Sequence, residues 1–351
     1  MAESEVRESF AQQAVWCDRL GSPFTALVCR LVGERLDRNT AVGRRVLDWP
    51  GQPDSFGDAL ALRFAGTLHA LARRDDAPEL TAAYPPNATP AADVLWSLIN
   101  SALTAHEAFI LSRLDRAPQT NEVGRSGPLM VGLLTIAEQT GLPLSLYELG
   151  ASAGLNLNLD RFSYRLGERE AGDPTSKVQI APDVTGPPPP IAEVSVVARR
   201  GVDLSPLNVA NAEDRELLTA YVWPDQTERL ERVLAAIDIA LAFPPPLDKG
   251  DAAEWLDHQL GVPPQEGVTR VVYHTIAFQY FPAQAQQRIR ERLQSAGAAA
   301  TASTPLAWLA FENEPEMGGK SVLRLTLWPT GEERILGFGH PHGATLALSS
   351  T

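Results

Sequence analysis

Cysteine is nearly absent: Cys17 and Cys29 are the only two. Both lie in helical-looking sequence, so a disulfide-stapled secreted scaffold is excluded and a reducing compartment is expected. Positive charge is in deficit. Thirty Lys and Arg against 43 Asp and Glu leave a net charge of −13. Non-specific nucleic-acid affinity rests on Lys and Arg, so bulk RNA or DNA is an unfavourable partner, although a local basic patch is compatible with that balance. No apolar run reaches the ~18 residues that a membrane span requires. The opening Met-Ala-Glu-Ser-Glu-Val-Arg-Glu lacks the apolar core of a signal peptide. No period of ~20–50 residues points to a solenoid. A hydrophobic fraction of 44% over 351 residues is ample for one large or two moderate domains. The chain reads as a cytoplasmic protein with no membrane partner and an oligomeric state that the sequence does not specify.

Residues 1–140 carry helical periodicity almost throughout. Val6, Phe10, Ala14 and Cys17 share a face, as do Leu27, Val28, Leu31 and Val32 after Ser22-Pro23. Ser55–Asp58 has the form of a capping box ahead of Leu60, Phe64, Leu68 and Leu71. Thr89-Pro90 opens a longer helix running through Phe109, with His106-Glu107 in its middle as an ordinary half-exposed pair. The polar loop Gln119–Ser126 precedes a helix over 128–140, which makes Asn121 and Arg125 candidates for facing a cleft.

Beyond residue 140 strands and helices alternate. Leu142–Leu149 is a short apolar run that ends in Glu148 and breaks into a turn with Gly150 and Gly154. A leucine-rich helix follows, with Asn156 in its first turn. Phe162–Gly167 and Lys177–Ile180 suggest a hairpin. Pro187–Pro190 is a stiff lead-in to a strand at Val194–Val197 and a further strand end at Arg199–Pro206. Glu213–Ala242 reads as a long helix interrupted at Trp223-Pro224. Pro246–Asp248, Thr269–Thr275 and Pro305–Phe311 read as strands, with a helix over 283–296 between the last two. Val322–Trp328 and Arg334–Phe338 flank Pro329-Thr-Gly331, a hairpin signal.

Residues 140–351 resemble the class I S-adenosylmethionine-dependent methyltransferases. Glu148-Leu-Gly-Ala-Ser-Ala-Gly154 is similar to that family's first motif, an acid followed by alternating glycines, with Ser152 where the middle glycine would stand. Gly201-Val-Asp-Leu-Ser-Pro206 resembles the second motif, and Gly250-Asp-Ala252 the third. His274–Pro282 resembles the region that carries catalytic and substrate contacts. The resemblance implies an α/β fold: a doubly wound, Rossmann-like methyltransferase sheet over 141–351 with an antiparallel terminal hairpin, preceded by an all-helical region over 1–140. It also implies S-adenosylmethionine as cofactor, held by Glu148, Gly150, Ser152 and Gly154, by Asp203 and Leu204 at the ribose, and by Asp251 and Ala252 at the adenine. The whole chain, with its Asn-Glu-Val-Gly-Arg loop and terminal Gly-His-Pro-His-Gly, also resembles an uncharacterised bacterial domain family, which implies no activity.

The residues bear on the cofactor independently. A dinucleotide site aims glycine-loop amides and a helix amino terminus at a pyrophosphate. Here the glycine spacing differs, and Glu148 adds negative charge where a diphosphate would lie. A cation without phosphate suits it better. The plain alternatives are a strand–helix turn at Gly150 and Gly154, an Asx-turn at Asp203 and a helix cap at Asp251.

For the chemistry, His274 at the carboxyl end of a strand has a suitable ordinary pKa for a general base, with Tyr280 beside it. The alternative is a hydrogen-bonded core histidine. Asn121, Arg125, Asn156, Gln279 and His342 are candidate contacts to a small-molecule substrate. Two rival readings stay open. One is a non-catalytic ligand sensor or scaffold on the same fold. The other is a metal-dependent enzyme using His274, His340 and His342.

Overall fold

The computed structural model describes residues 3–74, 76–317 and 320–350. The chain forms two compact units, Met1–Thr120 with Ala212–Glu231, and Asn121–Asn211 with Arg232–Thr351.

The first unit is helical: α1 (Glu3–Arg19), α2 (Pro23–Arg35), α3 (Ala41–Leu47), α4 (Leu60–Ala72), α5 (Pro78–Ala83), α6 (Ala92–Ala105) and α7 (Glu107–Leu114). Val6, Phe10, Ala14 and Cys17 are buried together with the apolar face of α4, and the rings of Phe10 and Phe64 meet edge to face at 5.8 Å. Fully burying each such side chain contributes about 1.5–3 kcal/mol, so amphipathic faces rather than helix propensity hold this unit together. Two local expectations fail. The helix expected to run from Thr89 to Phe109 breaks at His106, where α6 and α7 meet at 90°. The capping box at Ser55–Asp58 does not form. Instead Asp54 accepts the amides of Phe56 and Gly57, Asp58 accepts the Trp49 indole N–H, and α4 begins after Ala59 in the left-handed region with no side-chain cap.

The second unit opens with α8 (Ser126–Thr140), which leads into β1 (Leu144–Leu149). After a tight turn come a 3₁₀ segment (Leu155–Arg161) and the short strands β2 (Ser163–Leu166), β3 (Arg169–Gly172), β4 (Gln179–Ile180) and β5 (Asp183–Thr185), then β6 (Val196–Asp203). The chain then returns to the first unit for α9 (Ala212–Ala220) and the start of α10 (Thr227–Ala242), and continues in the second with β7 (Leu247–Lys249), α11 (Ala252–Gly261), β8 (Thr269–Thr275), α12 (Ala283–Ala298) and β9 (Leu306–Glu314). It closes with β10 (Lys320–Trp328), β11 (Glu332–Gly339) and β12 (Thr345–Leu348).

Nine strands form one mixed sheet in the order β5-β12-β11-β10-β9-β8-β1-β6-β7. The stretch from β9 to β7 is parallel, whereas β9, β10, β11 and β12 are successively antiparallel and the edge strand β5 joins β12 in parallel. From β1 the chain moves outward to β6 and β7, then returns to the other side of β1 for β8 and β9. The order therefore reverses between β1 and β8, the position at which open α/β sheets bind ligands at their strand carboxyl ends.

Alternation along β9 assigns the layers. Leu309 faces α8, where Gly132 lets the helix approach so closely that an added Cβ would lie 2.4 Å from Leu309. Trp308 faces the opposite layer, packed with Leu256, Ile289 and Leu293 of α11 and α12. The expected hairpin differs in its partner. β2 pairs antiparallel with β3 across Gly167, and β4 joins β2 in parallel. Val196–Asp203 is one continuous strand, not two separate ones. Among the described residues no single helix is long and apolar enough to cross a membrane.

Candidate functional site

The carboxyl ends of β1, β6 and β8 lie side by side, and their side chains build the candidate site. The turn after β1 alternates in backbone sign, with positive φ at Gly150 (71°), Ser152 (53°) and Gly154 (69°). Glycine adopts that region freely, whereas a serine there is strained. The amides of Gly150 and Ala151 both donate to the Val202 carbonyl, and Ser152 N–H donates to Asp203 Oδ2 at 2.9 Å. Asp203 Oδ1 accepts from Ser205 N–H at 2.8 Å. Asp203 thus ties the β1 turn to the end of β6 while its second lone pairs remain available to a ligand. Leu204 beside it is 66% exposed. Asp251 is the N-cap of α11, accepting from Ala253 and Glu254 N–H, and Ala252 is buried behind it.

Glu148 is the most unusual group. It is 2% exposed, and no arginine or lysine forms an ion pair with it among the described residues. Burial, reinforced by the charge of Asp203, raises its pKa to about 8, against the lowering effects of the Tyr273 hydrogen bond and the Arg125 charge. Tyr273 lies directly opposite Glu148 on the β1–β8 ladder. Its hydroxyl donates toward Glu148 Oε2 at 3.3 Å and toward the Asn156 carbonyl at 3.4 Å. Asn156 is 1% exposed. Its Nδ2 donates to the Glu122 carbonyl at 3.2 Å, and its Oδ1 is buried without a hydrogen-bond partner. A buried carboxyl and an unmatched amide oxygen make this end of the sheet rich in acceptors and poor in donors.

The Asn121–Arg125 loop closes one side. Asn121 Oδ1 accepts from Leu155 N–H at 2.9 Å, fixing the start of the 3₁₀ segment. Arg125 donates to the Pro341 carbonyl at 2.9 Å and to the Thr275 carbonyl at 3.1 Å, tying the loop to the terminal His340–Gly343 turn and to the end of β8. That approach requires glycine on both sides: a Cβ on Gly124 would lie 2.4 Å from the His342 carbonyl, and one on Gly343 would lie 2.1 Å from the Gly124 carbonyl. Within the turn, His342 N–H donates to His340 Nδ1 at 3.1 Å. Two motifs more than 200 residues apart are therefore one structural unit.

The loop after β8 closes the other side. His274 is 1% exposed. Its Nε2 accepts the Trp308 indole N–H at 2.9 Å, so Nδ1 carries the proton and donates to Glu312 Oε1 at 2.7 Å. Phe278 stacks on the imidazole. Both nitrogens are thus engaged inside the protein, the arrangement of a hydrogen-bonded core histidine. Glu312 also gathers the amides of Ala277 and Phe278 at 3.0 and 3.1 Å. Ile276, at φ 45°, is a β-branched residue in the left-handed region, where strain persists only if the surroundings enforce it. The enforced bend sets Ala277 against Gly150, where an added Cβ would lie 2.6 Å from the Ala277 Cβ. Gln279 Oε1 is buried without a partner, and Tyr280 is 56% exposed.

Of the sequence-derived candidates, Glu148, Gly150, Ser152, Gly154, Asp203 and Asn156 come together around the β1 turn. Asn121, Arg125 and the His340–His342 turn form a second group joined to it. Asp251 serves its helix, and His274 faces the α12 layer. Among the described residues no three His, Cys, Asp or Glu side chains converge as metal ligands. Tyr273, Glu312 and Trp308 were not among the candidates. Tyr273 immediately precedes His274 and so points to the opposite face of β8, and only the β1–β8 pairing brings it to Glu148. The signal for Glu312 was present, as an acid at the end of the apolar run Leu306–Phe311.

A large mixed sheet with a helical amino-terminal region and an acid-bearing site at its strand ends defines a mixed α/β protein. The family model described as "Uncharacterized protein conserved in bacteria (DUF2332)" matches residues 7–347, and the chain belongs to that family. A comparison with curated proteins gave no match.

Proposed function

We propose that the protein is an S-adenosylmethionine-dependent methyltransferase acting on a small molecule. The observation that carries the proposal is Glu148: a buried carboxyl at the end of β1, beside a turn of alternating positive φ, at the topological switch point of the sheet. A phosphate-bearing nucleotide would bring negative charge to this carboxyl. A ligand with an ammonium and a sulfonium would complement it and would supply donors for Asn156 Oδ1, which has none.

The residues present fit such a cofactor. Glu148 and Asn156 would hold the ammonium, Asp203 the ribose hydroxyls through its unused lone pairs, and the Gly150–Gly154 turn would pass close beneath. Asp251 and Ala252 would border the adenine, with Leu204 as an apolar neighbour. When bound, the group supplies an electrophilic methyl. The contribution of the chain is alignment and exclusion of water. Glu312 and His274 fix the loop carrying Gln279 and Tyr280, which we assign to the acceptor side with Asn121, Arg125 and His342. His274 acts in this scheme by holding the loop, because both of its nitrogens are engaged.

That engagement also favours a second reading, a protein that binds the same ligand without turning it over. Calorimetry with S-adenosylmethionine and its demethylated product tests the binding shared by both readings, and absence of binding at millimolar ligand would sink both. Release of demethylated product on incubation with a pool of small-molecule acceptors separates them.

A further inference from the structure

At the opposite end of β8 from the site described above, two arginines share the Asp257 carboxylate and a third, Arg270, has none. Arg270, the second residue of β8, sits across the ladders from Ser145 and Leu306 and is 7% exposed. Among the described residues no carboxylate forms an ion pair with it. Its Nη1 makes only a long contact, 3.4 Å, to the Val262 carbonyl at the carboxyl end of α11, and its Nε is buried without a partner. Buried charges are normally paired, because an isolated ion in a poorly solvated site costs far more than a helix-end carbonyl returns.

The nearest charges do not supply the missing partner. Asp257 on α11 is engaged by Arg288 through two bonds, of 2.7 Å from Nε and 2.6 Å from Nη2. Arg292 on α12 turns its Nε toward the same carboxylate but only at 3.8 Å, too long for a hydrogen bond. Both arginines reach the same end of α11: a Cβ on Gly261 would lie 3.8 Å from Arg292 Nη2, and Arg270 Nη1 approaches the carbonyl of the next residue, Val262. Burial and then the like charge of Arg292 hold the Arg270 guanidinium below its ordinary pKa, with only Tyr147 on β1 opposing them. Among the described residues Asp257 is the only carboxylate that pairs with any of Arg270, Arg288 and Arg292, on a chain whose net charge is −13.

We propose that Arg270 and Arg292 bind a phosphoryl-type oxyanion between the amino end of β8 and α12. The planar, multi-donor guanidinium group is suited to tetrahedral oxyanions; Arg270 offers an unpartnered Nε–H, and Arg292 a guanidinium held by a single 3.8 Å ion pair. The site is separate from the acid-rich strand ends and opposite to them in ligand charge, so it stands whatever ligand those ends hold.

The test is thermal unfolding and calorimetry of the full chain with inorganic phosphate and with glycerol 3-phosphate, using chloride at equal ionic strength as the control. A saturable rise in unfolding midpoint with inorganic phosphate is expected, with an apparent affinity at least about tenfold weaker in Arg292→Gln, the loss of one charge-assisted interaction. Arg292 is part-exposed, so its replacement leaves the core intact. Arg270→Gln, if it folds, loses the response as well. Response to inorganic phosphate alone assigns the site to the free anion; response to both probes assigns it to the phosphoryl group of a metabolite. An equal response to chloride, or one unchanged in Arg292→Gln, overturns the proposal.

Discussion

Tyr273 and Glu148 face each other across the β1–β8 ladder, and the tyrosine hydroxyl donates to the buried carboxyl at 3.3 Å. This hydrogen bond favours the ionised carboxylate, but burial outweighs it and leaves the Glu148 pKa raised to about 8. A carboxyl held in its protonated form at the end of a central strand is a cost when it ionises without a partner, and a binding determinant when a cation arrives.

Stability should therefore fall as pH rises across this range. The folded chain keeps a proton on Glu148 up to about pH 8, whereas the unfolded chain releases it near the ordinary value of 4.5. Between those two values the folded state binds more protons, so raising the pH favours unfolding. Glu148→Gln removes the titration, and its stability relative to the parent should grow by on the order of a few kcal/mol from about pH 4.5 to about pH 8. Tyr273→Phe should carry the decline to higher pH, since it removes the bond that favours the anion and so raises the folded-state pKa further. Urea unfolding across this pH range measures both; a parent curve parallel to that of Glu148→Gln would contradict the assignment.

Gly150→Ala introduces a Cβ 2.6 Å from the Ala277 Cβ at a backbone φ of 71°. The backbone and steric costs together should destabilise the chain by roughly 1–3 kcal/mol, and displacement of the Ala277–Tyr280 loop should weaken ligand binding as well. Denaturant midpoints and calorimetry on the same preparation test the two effects.

Ser152 at φ 53° should tolerate glycine and reject valine. Ser152→Gly relieves left-handed strain and is expected within about 1 kcal/mol of the parent. Ser152→Val places a β-branched side chain in the same region and should cost roughly 1–2 kcal/mol more. Equal stability of the two variants would show that the turn does not hold this conformation in solution.

His274 should be the Nδ1-protonated tautomer, because the Trp308 indole occupies Nε2 as donor and Glu312 accepts at Nδ1. Long-range ¹⁵N–¹H correlations of the imidazole read this directly. Glu312→Ala strands that Nδ1–H and the Ala277 and Phe278 amides, a loss on the order of 2–4 kcal/mol. An Nε2-protonated ring would overturn the network.

The parts of this molecule that were legible in its sequence are those that short-range chemistry decides. Thr269–Thr275 and the Val322–Phe338 hairpin declare themselves through β-branched runs and a Pro-Thr-Gly turn. The face Val6-Phe10-Ala14-Cys17 declares itself through helical spacing. The β1 turn was visible because glycines are needed where φ is positive. Long-range pairing was not. β2 takes β3 as its antiparallel partner because Gly167 allows a tighter turn than the polar 168–176 loop would. β5 and β12, short edge strands, have no periodicity to read. In the site, the single residue His274 could be marked as chemically active, but its neighbours Trp308 and Glu312 come from another strand and decide what its nitrogens can do. The meeting of the Asn121–Arg125 loop with the His340–Gly343 turn is likewise a property of the sheet. No local pattern encodes it.

The central claim, that Glu148 receives a cationic, phosphate-free nucleoside cofactor, is tested most directly by calorimetry with S-adenosylmethionine at about pH 5.5 and about pH 6.5, both below the range in which an α-amino group loses its proton. The account predicts one-to-one saturable binding that strengthens about tenfold over this interval as Glu148 gives up its proton, and a loss of that pH dependence in Glu148→Gln. Absence of saturable binding at millimolar ligand, or binding whose pH dependence is the same in Glu148→Gln, would contradict it.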